Sequence, residues 1–126
     1  MNARSLLLAA ALAGASGVLF GAFGAHALSG QFDPASLKTF ETAVEYHLVH
    51  AVLIGFSAVA LKVYARPAFG LAGWAFCFGI LLFSFSLYAL ALGGPRWLAF
   101  ATPVGGVCLV VGWLAIGYAA LRADPP

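Results

Sequence analysis

Charge is what this sequence has least of. Its 126 residues include six Lys or Arg and four Asp or Glu, only 8% of the chain, whereas soluble domains average about 25%. A chain this short has a high ratio of surface to volume, so these few charges cannot cover it in water. Hydrophobic residues make up 63%. This composition excludes a soluble enzyme, a nucleic-acid-binding domain and a disordered chain, and leaves an integral membrane protein. The net charge of +2 is too small to indicate an anionic partner.

Cysteines and catalytic motifs are also scarce. Cys77 and Cys108 are the only cysteines. Both lie inside apolar runs, so we expect small apolar fillers rather than a disulfide framework. The sequence contains no CxxC pair, phosphate-binding loop, nucleophile elbow or zinc signature. It therefore predicts no catalytic residue, no bound cofactor and no metal, and the chain is not expected to be an enzyme.

Long apolar runs dominate what is present. Four of them cover about residues 5–28, 43–63, 69–92 and 98–121, each close to the roughly 20 residues that a helix needs to cross a bilayer. The runs are continuous rather than alternating, and four strands cannot close a barrel in lipid. Asp33 and Pro34 favour a helix start, so residues 34–42 are expected to form a short amphipathic lead-in that bends or runs directly into the second span. Because short links make neighbouring helices antiparallel, we predict an all-α, integral membrane four-helix bundle in a single domain.

The basic residues set the expected orientation. With four spans, both termini lie on one side of the membrane. That side carries four basic residues and the other side two: Arg4, Lys62, Arg66 and Arg122 against Lys38 and Arg96. This excess predicts that both termini are cytoplasmic. The bias is small, so insertion in both orientations stays an open alternative.

Glycines form a stripe on the first span. Gly14, Gly17, Gly21 and Gly24 are spaced three or four residues apart, which keeps them on one helix face. Gly105 and Gly112 repeat the device on the fourth span. Small residues let helices approach closely in lipid, where hydrophobicity does not drive association. We therefore predict that these six glycines mediate helix packing.

Polar residues in the spans concentrate toward the predicted extracytoplasmic side. An unpartnered polar group costs several kcal/mol in hydrocarbon, so polar residues at one depth should meet. The predicted cluster consists of His26, Glu45, Tyr46, His50, Ser84, Tyr88 and Thr102. Tyr46 and His50 are four residues apart and are expected to point inward together.

The histidines leave several interpretations open. His50 either bonds a group across the bundle, takes part in binding or proton relay, or binds a metal. A haem or metal site would need His26 together with His50. At about 100° per residue, His47 and His50 point away from Glu41 and Glu45, so one helix cannot present all of them to one ion. The Thr102-Pro103 pair predicts a kink or a close helix contact, with a substrate-binding broken helix as the alternative.

A set of motifs in order along the chain resembles a known family. The motifs are GAFGAH at 21–26, EY at 45–46 with HA at 50–51, LFSFSLY at 82–88, and TPVGG at 102–106 with GW at 112–113. They resemble the small membrane proteins of the domain-of-unknown-function 423 family, related to transmembrane protein 256. The resemblance covers nearly the whole chain and implies a bacterial inner-membrane protein with four helices. It brings no activity, substrate or catalytic residue.

Two positions qualify the resemblance. Phe85 stands where the family pattern has glycine, so an aromatic plug is expected in place of a close helix contact. His47 lies outside the motif and is therefore expected to be the less functional histidine. All seven residues of the predicted cluster match the pattern.

Three functions follow as alternatives. The first is a non-enzymatic accessory or structural protein of the inner membrane, because the apolar runs carry no cofactor motif and no charge at the bilayer centre. The second is a small oligomeric transporter or channel that uses the polar cluster. The third is haem or metal binding through His26 and His50. The expected partners are membrane lipid and either further copies of the chain or a larger membrane complex, with no nucleic acid.

Overall fold

The computed structural model describes residues 2–122 and 124. They form four helices, which are α1 (Ala3–Leu28), α2 (Pro34–Tyr64), α3 (Pro67–Ala91) and α4 (Arg96–Arg122). Each is long and apolar enough to cross a membrane, and this described part of the chain contains no strand. The predicted all-α, four-span architecture is confirmed.

The helix boundaries have local causes. The side chain of Asp33 caps α2 by accepting a hydrogen bond from the backbone N–H of Ser36 at 2.6 Å. Pro34 and Pro67 occupy the first turns of α2 and α3, where a missing N–H costs nothing. Ala65 ends α2 in the left-handed region with φ 51°, which turns the chain sharply into α3.

The predicted lead-in at residues 34–42 runs directly into the second span, as the beginning of one continuous helix, α2. Thr39 and Thr42 do not interrupt the helix because each hydroxyl donates to the carbonyl four residues earlier, at 3.1 and 2.9 Å. Phe40 is 1% exposed and packs against the far end of α1. α2 is therefore 31 residues long, longer than the predicted second span.

The central pair of helices is α2 and α3. α1 packs on α2, α4 packs on α3, and α1 touches α3 only lightly. The main core contains Leu6, Ile54, Phe76 and Leu109. A smaller core of Leu28, Phe40, Ala43, Tyr88 and Ala91 lies at the end formed by residues 29–33 and 92–95, called the Gly30 end below. Polar residues on α2 and α3 are thus carried into the interior.

Three helices deviate from regular α geometry. α1 ends in a π-helical turn at Gly24–Leu28. In α3, residues Ile80–Ser84 form a π-helical turn in which the N–H of Phe85 bonds the carbonyl of Ile80. α4 begins with a 3-10 segment, Arg96–Phe100, before the α-helix from Ala101. Pro103 therefore lies in the first α-helical turn, where proline is tolerated. Of the alternatives predicted at Thr102-Pro103, the structure shows the close helix contact, because the hydroxyl of Thr102 lies 2.6 Å from that of Ser86 on α3; the α-helix is continuous from Ala101, without a break.

Five of the six predicted packing glycines make close contacts. A Cβ at Gly17 or Gly24 would lie 2.7 Å from the side chain of Leu48 or Phe40, and a Cβ at Gly21 would lie 3.2 Å from Val44. On α4, a Cβ at Gly112 would overlap the ring of Phe76, and one at Gly105 would overlap the backbone of Leu82 and Phe83 in the π-helical turn.

Gly14 is the exception, and its predicted role in packing is wrong. A Cβ there would have no neighbour within 4 Å, because Gly14 faces an open apolar groove between α1 and α2. The close glycine contacts of α1 with α2 lie toward the Gly30 end, at Gly17, Gly21 and Gly24. Two glycines outside the predicted set, Gly73 and Gly79, pack instead against Leu6 and Leu109.

Candidate functional site

The buried face of α2 positions most of the interior polar groups. Residues spaced three and four apart line this face: Phe40, Ala43, His47, His50, Ile54 and Ser57. This alternation is the seam by which one helix packs against neighbours in a bundle. His47 and Ser57 are 0% exposed and His50 is 5% exposed. Both central histidines therefore lie inside the protein.

His47 joins three helices. Its Nδ1 lies 2.9 Å from the hydroxyl of Tyr88 on α3, and its Nε2 lies 3.2 Å from the hydroxyl of Ser16 on α1. Ser16 in turn donates to the carbonyl of Ala13 at 3.1 Å. The ring of Phe20 stacks on Tyr88 with centroids 4.3 Å apart, which holds the phenol in place.

The partners determine which atom of each group donates. Because Ser16 gives its only hydroxyl proton to Ala13, it accepts from Nε2–H of His47. Nδ1 then accepts from the hydroxyl of Tyr88. In the neutral ring that donates through Nε2, the chain of donors runs from Tyr88 through His47 and Ser16 to the carbonyl of Ala13.

His50 is held separately, on the side facing α4. Its Nδ1 lies 2.6 Å from the backbone carbonyl of Tyr46, which can only accept, so Nδ1 carries the proton. Its Nε2 accepts from the indole N–H of Trp113 at 3.3 Å. The ring of Tyr46 stacks on His50 and lies tilted against Phe83. Both ring nitrogens of His50 are therefore engaged.

The interior serines of α2 and α3 differ in whether their hydroxyl groups find a hydrogen-bond partner. Ser84 donates to the carbonyl of Ala43 at 2.9 Å. Ser86 donates to the carbonyl of Phe83 at 2.8 Å, so Thr102 donates to Ser86 at 2.6 Å. Within the described residues, the hydroxyl of Ser57 is the one buried side-chain polar atom without a partner.

The predicted single polar cluster is not formed. The structure separates it into the His47–Tyr88 group, the His50–Trp113 pair and the Ser86–Thr102 pair. His26 and Glu45 are exposed. Tyr46 is 43% exposed, so it does not point inward with His50. Shared depth did not bring these residues together because they lie on different faces of their helices.

The arrangement does not support a haem or metal ion held jointly by His26 and His50. Gly24 packs against Phe40, so His26 lies level with the start of α2. His50 is ten residues beyond Phe40, about 15 Å farther along the helix axis. His50 also has no free nitrogen. Among the described residues, no three His, Cys, Asp or Glu side chains are grouped so as to hold a metal ion.

Comparison with known proteins places the chain in a family. The model of the family described as "Protein of unknown function (DUF423)" matches residues 20–106. The chain belongs to the DUF423 family. The match includes both buried histidines and Tyr88, whereas Ser16 and Trp113 lie outside it.

Curated relatives of this DUF423 chain are membrane proteins. It is 38% identical to the UPF0382 inner membrane protein YgdD of Escherichia coli K12, over 97% of this chain and 93% of that protein. It is 39% identical to the UPF0382 membrane protein YwdK of Bacillus subtilis, over 81% and 84%. A UPF0382 membrane protein of Haemophilus influenzae is 36% identical over 90% of each chain. No solved structure matches. With its four apolar helices, this DUF423 chain is a multi-pass protein of the inner membrane.

The structure gives central roles to residues that sequence reasoning set aside. His47, expected to be the less functional histidine, hydrogen-bonds to side chains on two other helices. Ser16, Ser86 and Trp113 were not in the predicted cluster. The three-four spacing of His47 with Phe40, Ala43 and Ile54 was the signal that could have placed it inside. Phe85, the expected aromatic plug, lies edge-on to Phe20 and Tyr88.

The carboxylates of α2 lie on its outer surface. Glu41 and Glu45 are exposed while His47 and His50 are buried, which is the angular separation expected from the helix period. Together with Lys38 and Gly21, they line a shallow cleft of about 360 Å³ at the Gly30 end. Three charged side chains, Lys38, Glu41 and Glu45, therefore meet in this cleft.

Proposed function

We propose that this DUF423 protein is a non-enzymatic accessory or structural protein of the inner membrane, working as a homo-oligomer or within a larger membrane complex. The proposal rests on where the interior chains of hydrogen bonds end. The chains through His47, His50 and Ser84 terminate on the carbonyls of Ala13, Tyr46 and Ala43.

A catalytic or transporting site needs a polar group that is free to bind a substrate or to release a proton. A backbone carbonyl only accepts, so a proton path cannot continue through it. Ser57 is unpartnered, but it is enclosed by Leu6 and Gly73 in the apolar core. The interior polar groups therefore suit a role in fixing helix positions.

Proton flux into liposomes tests the proposal. The purified protein is reconstituted around a trapped pH-sensitive dye, and a potassium–valinomycin potential drives protons inward. We expect the rate of protein-free liposomes, with a protonophore as the positive control. A protein-dependent flux would contradict the proposal, most directly if Tyr88→Phe abolished it. Native mass spectrometry from nanodiscs tests the assembly, and a strictly monomeric protein without partners would overturn that part.

An oligomeric transporter or channel is the second candidate, favoured by one observation. The cleft with Lys38, Glu41 and Glu45 carries charge at the membrane surface of the bundle, and ionisable groups within spans are typical of transport pathways. Several copies would have to surround such a path. In the same flux assay, this candidate expects flux that Glu45→Gln reduces and Lys62→Gln, at the opposite end of α2, leaves unchanged.

A further inference from the structure

We propose that the groove between α1 and α3 binds a single-chain membrane lipophile that carries a hydroxyl group. The groove has a volume of about 480 Å³ and is lined by Leu12, Ala13 and Ser16 of α1 and Trp74 and Leu81 of α3, with His47 beneath. Its size and apolar lining are those of small-molecule sites between helices, which run from about 300 to 1,000 Å³. This inference does not depend on the proposed function.

The position of the groove follows from the helix arrangement. α1 and α3 both pack on α2 but touch each other lightly, so the space between them opens sideways along the bundle. In a membrane that opening faces the acyl chains. A ligand that enters by this route must itself be lipid-soluble, which excludes ions and sugars as occupants.

The backbone of α3 is irregular where it forms the wall. The π-helical turn Ile80–Ser84 contributes Ile80 and Leu81 to the groove. Such turns are rare and occur frequently at functional sites. On the other side of α1, a groove of similar volume beside Ala11 and Gly14 has regular helices and only apolar lining residues. The π-helical turn therefore distinguishes the α1–α3 groove from an ordinary gap between helices.

Hydrogen-bond accounting at Ser16 determines the class of ligand. Ser16 is half-buried, gives its proton to Ala13 and accepts from His47. A hydroxyl oxygen has two acceptor lone pairs, so one remains free. The group that pairs with it must be a donor. A long-chain or prenyl alcohol, or the hydroxyl of a reduced quinone, shares this chemistry, whereas an ether or a hydrocarbon of the same length does not.

Photo-crosslinking of the full chain in liposomes tests the inference. The probe is a C16 alcohol with a mid-chain diazirine, and its methyl ether is the matched ligand control. We expect saturable labelling by the alcohol, mapped by mass spectrometry to α1 and to residues 74–85. The ether should bind about threefold more weakly, the size of an average interhelical hydrogen bond in membranes.

Three variants make the outcome decisive. Ala13→Leu fills the groove and should reduce saturable labelling at least tenfold, whereas Ala11→Leu, on the opposite groove, should leave it unchanged. Ser16→Ala should bring the alcohol down to the level of the ether. The alcohol–ether comparison in the wild-type chain needs no variant to fold. Equal labelling by both probes, or labelling spread over all outward faces, would overturn the inference. Unlabelled hexadecanol and a reduced quinone analogue as competitors then distinguish the two sources of the hydroxyl.

Discussion

The hydroxyl of Tyr88 lies 2.9 Å from Nδ1 of His47 and links α3 to α2 inside the bundle. Phe20 and Phe85 pack around the pair, so no described neighbour offers Tyr88 a second acceptor. The bond thus satisfies two groups that would each be costly to leave unpaired in an apolar interior.

This pair should be coupled energetically. Tyr88→Phe and His47→Leu each remove one partner, and the double variant removes both. We expect a coupling energy of about 0.6 kcal/mol and no more than about 1.7, the range measured for interhelical bonds in membranes. Reversible unfolding in mixed micelles measures it. Tyr118→Phe, at a residue that is 57% exposed, is the control and should change little. Strict additivity of the two single variants would show that the bond contributes nothing.

The effect of a glycine-to-alanine substitution on stability should depend on what lies next to the glycine. Gly105→Ala places a methyl group against the backbone of the π-helical turn at Leu82 and Phe83. Backbone cannot move aside as a flexible side chain can, so we expect a loss of several kcal/mol or failure to assemble. Gly14→Ala meets nothing within 4 Å and should be neutral or stabilising, since alanine is favoured over glycine in helices by up to about 1 kcal/mol. Thermal unfolding of the two variants in detergent compares them, and equal stability would contradict the predicted contact.

The hydrogen bond between Trp113 and His50 should contribute little to the stability of the protein. At 3.3 Å it is long, so Trp113→Phe is expected to cost under about 1 kcal/mol beyond the lost packing. Near-ultraviolet circular dichroism and melting measure the change. Trp97→Phe is the matched control, because Trp97 is 66% exposed. If Trp97→Phe destabilised the protein as much, the effect could not be assigned to His50.

The orientation can be tested with single cysteines. With Cys77 and Cys108 replaced by alanine, Gln31→Cys and Ala65→Cys place a thiol at opposite ends of the bundle, both at exposed positions. We expect an impermeant maleimide added to intact cells to label Gln31→Cys alone, since the basic residues favour cytoplasmic termini. Labelling of Ala65→Cys alone would reverse the orientation, and labelling of both would indicate dual insertion.

The stabilisation of α2 by its N-terminal cap should be lost at acidic pH. The carboxylate of Asp33 accepts a hydrogen bond from the backbone N–H of Ser36. This bond lowers the pKa of Asp33 below its ordinary value of 3.8. The stabilisation is therefore complete above that ordinary value and is lost as the pH falls through the lowered pKa. The protection of the Ser36 amide, which is its exchange rate relative to the intrinsic rate at each pH, is followed by NMR in nanodiscs. This protection should fall only in that acidic range. Asp33→Asn keeps the cap without the titration, and its exchange should show no such step.

The described structure also separates what could be predicted at the candidate site from what could not. The helix period correctly put Glu41 and Glu45 on one face and His47 and His50 on another. It could not show which face of α2 meets α1, α3 or α4. That is why Ser16 and Trp113, on other helices, were not expected as partners of the two histidines.

The amino-acid sequence alone determined that the protein lies in a membrane, how many spans it has and most of the glycines through which they pack. These follow from the amount and spacing of apolar and small residues, which are local properties of the chain. Only the tertiary structure decided that His47 rather than His50 joins three helices, that Gly14 faces open space, and that a groove remains between α1 and α3. Those outcomes depend on helix rotation and crossing. In an apolar bundle they are set by close packing summed over many small contacts, which no single stretch of sequence encodes.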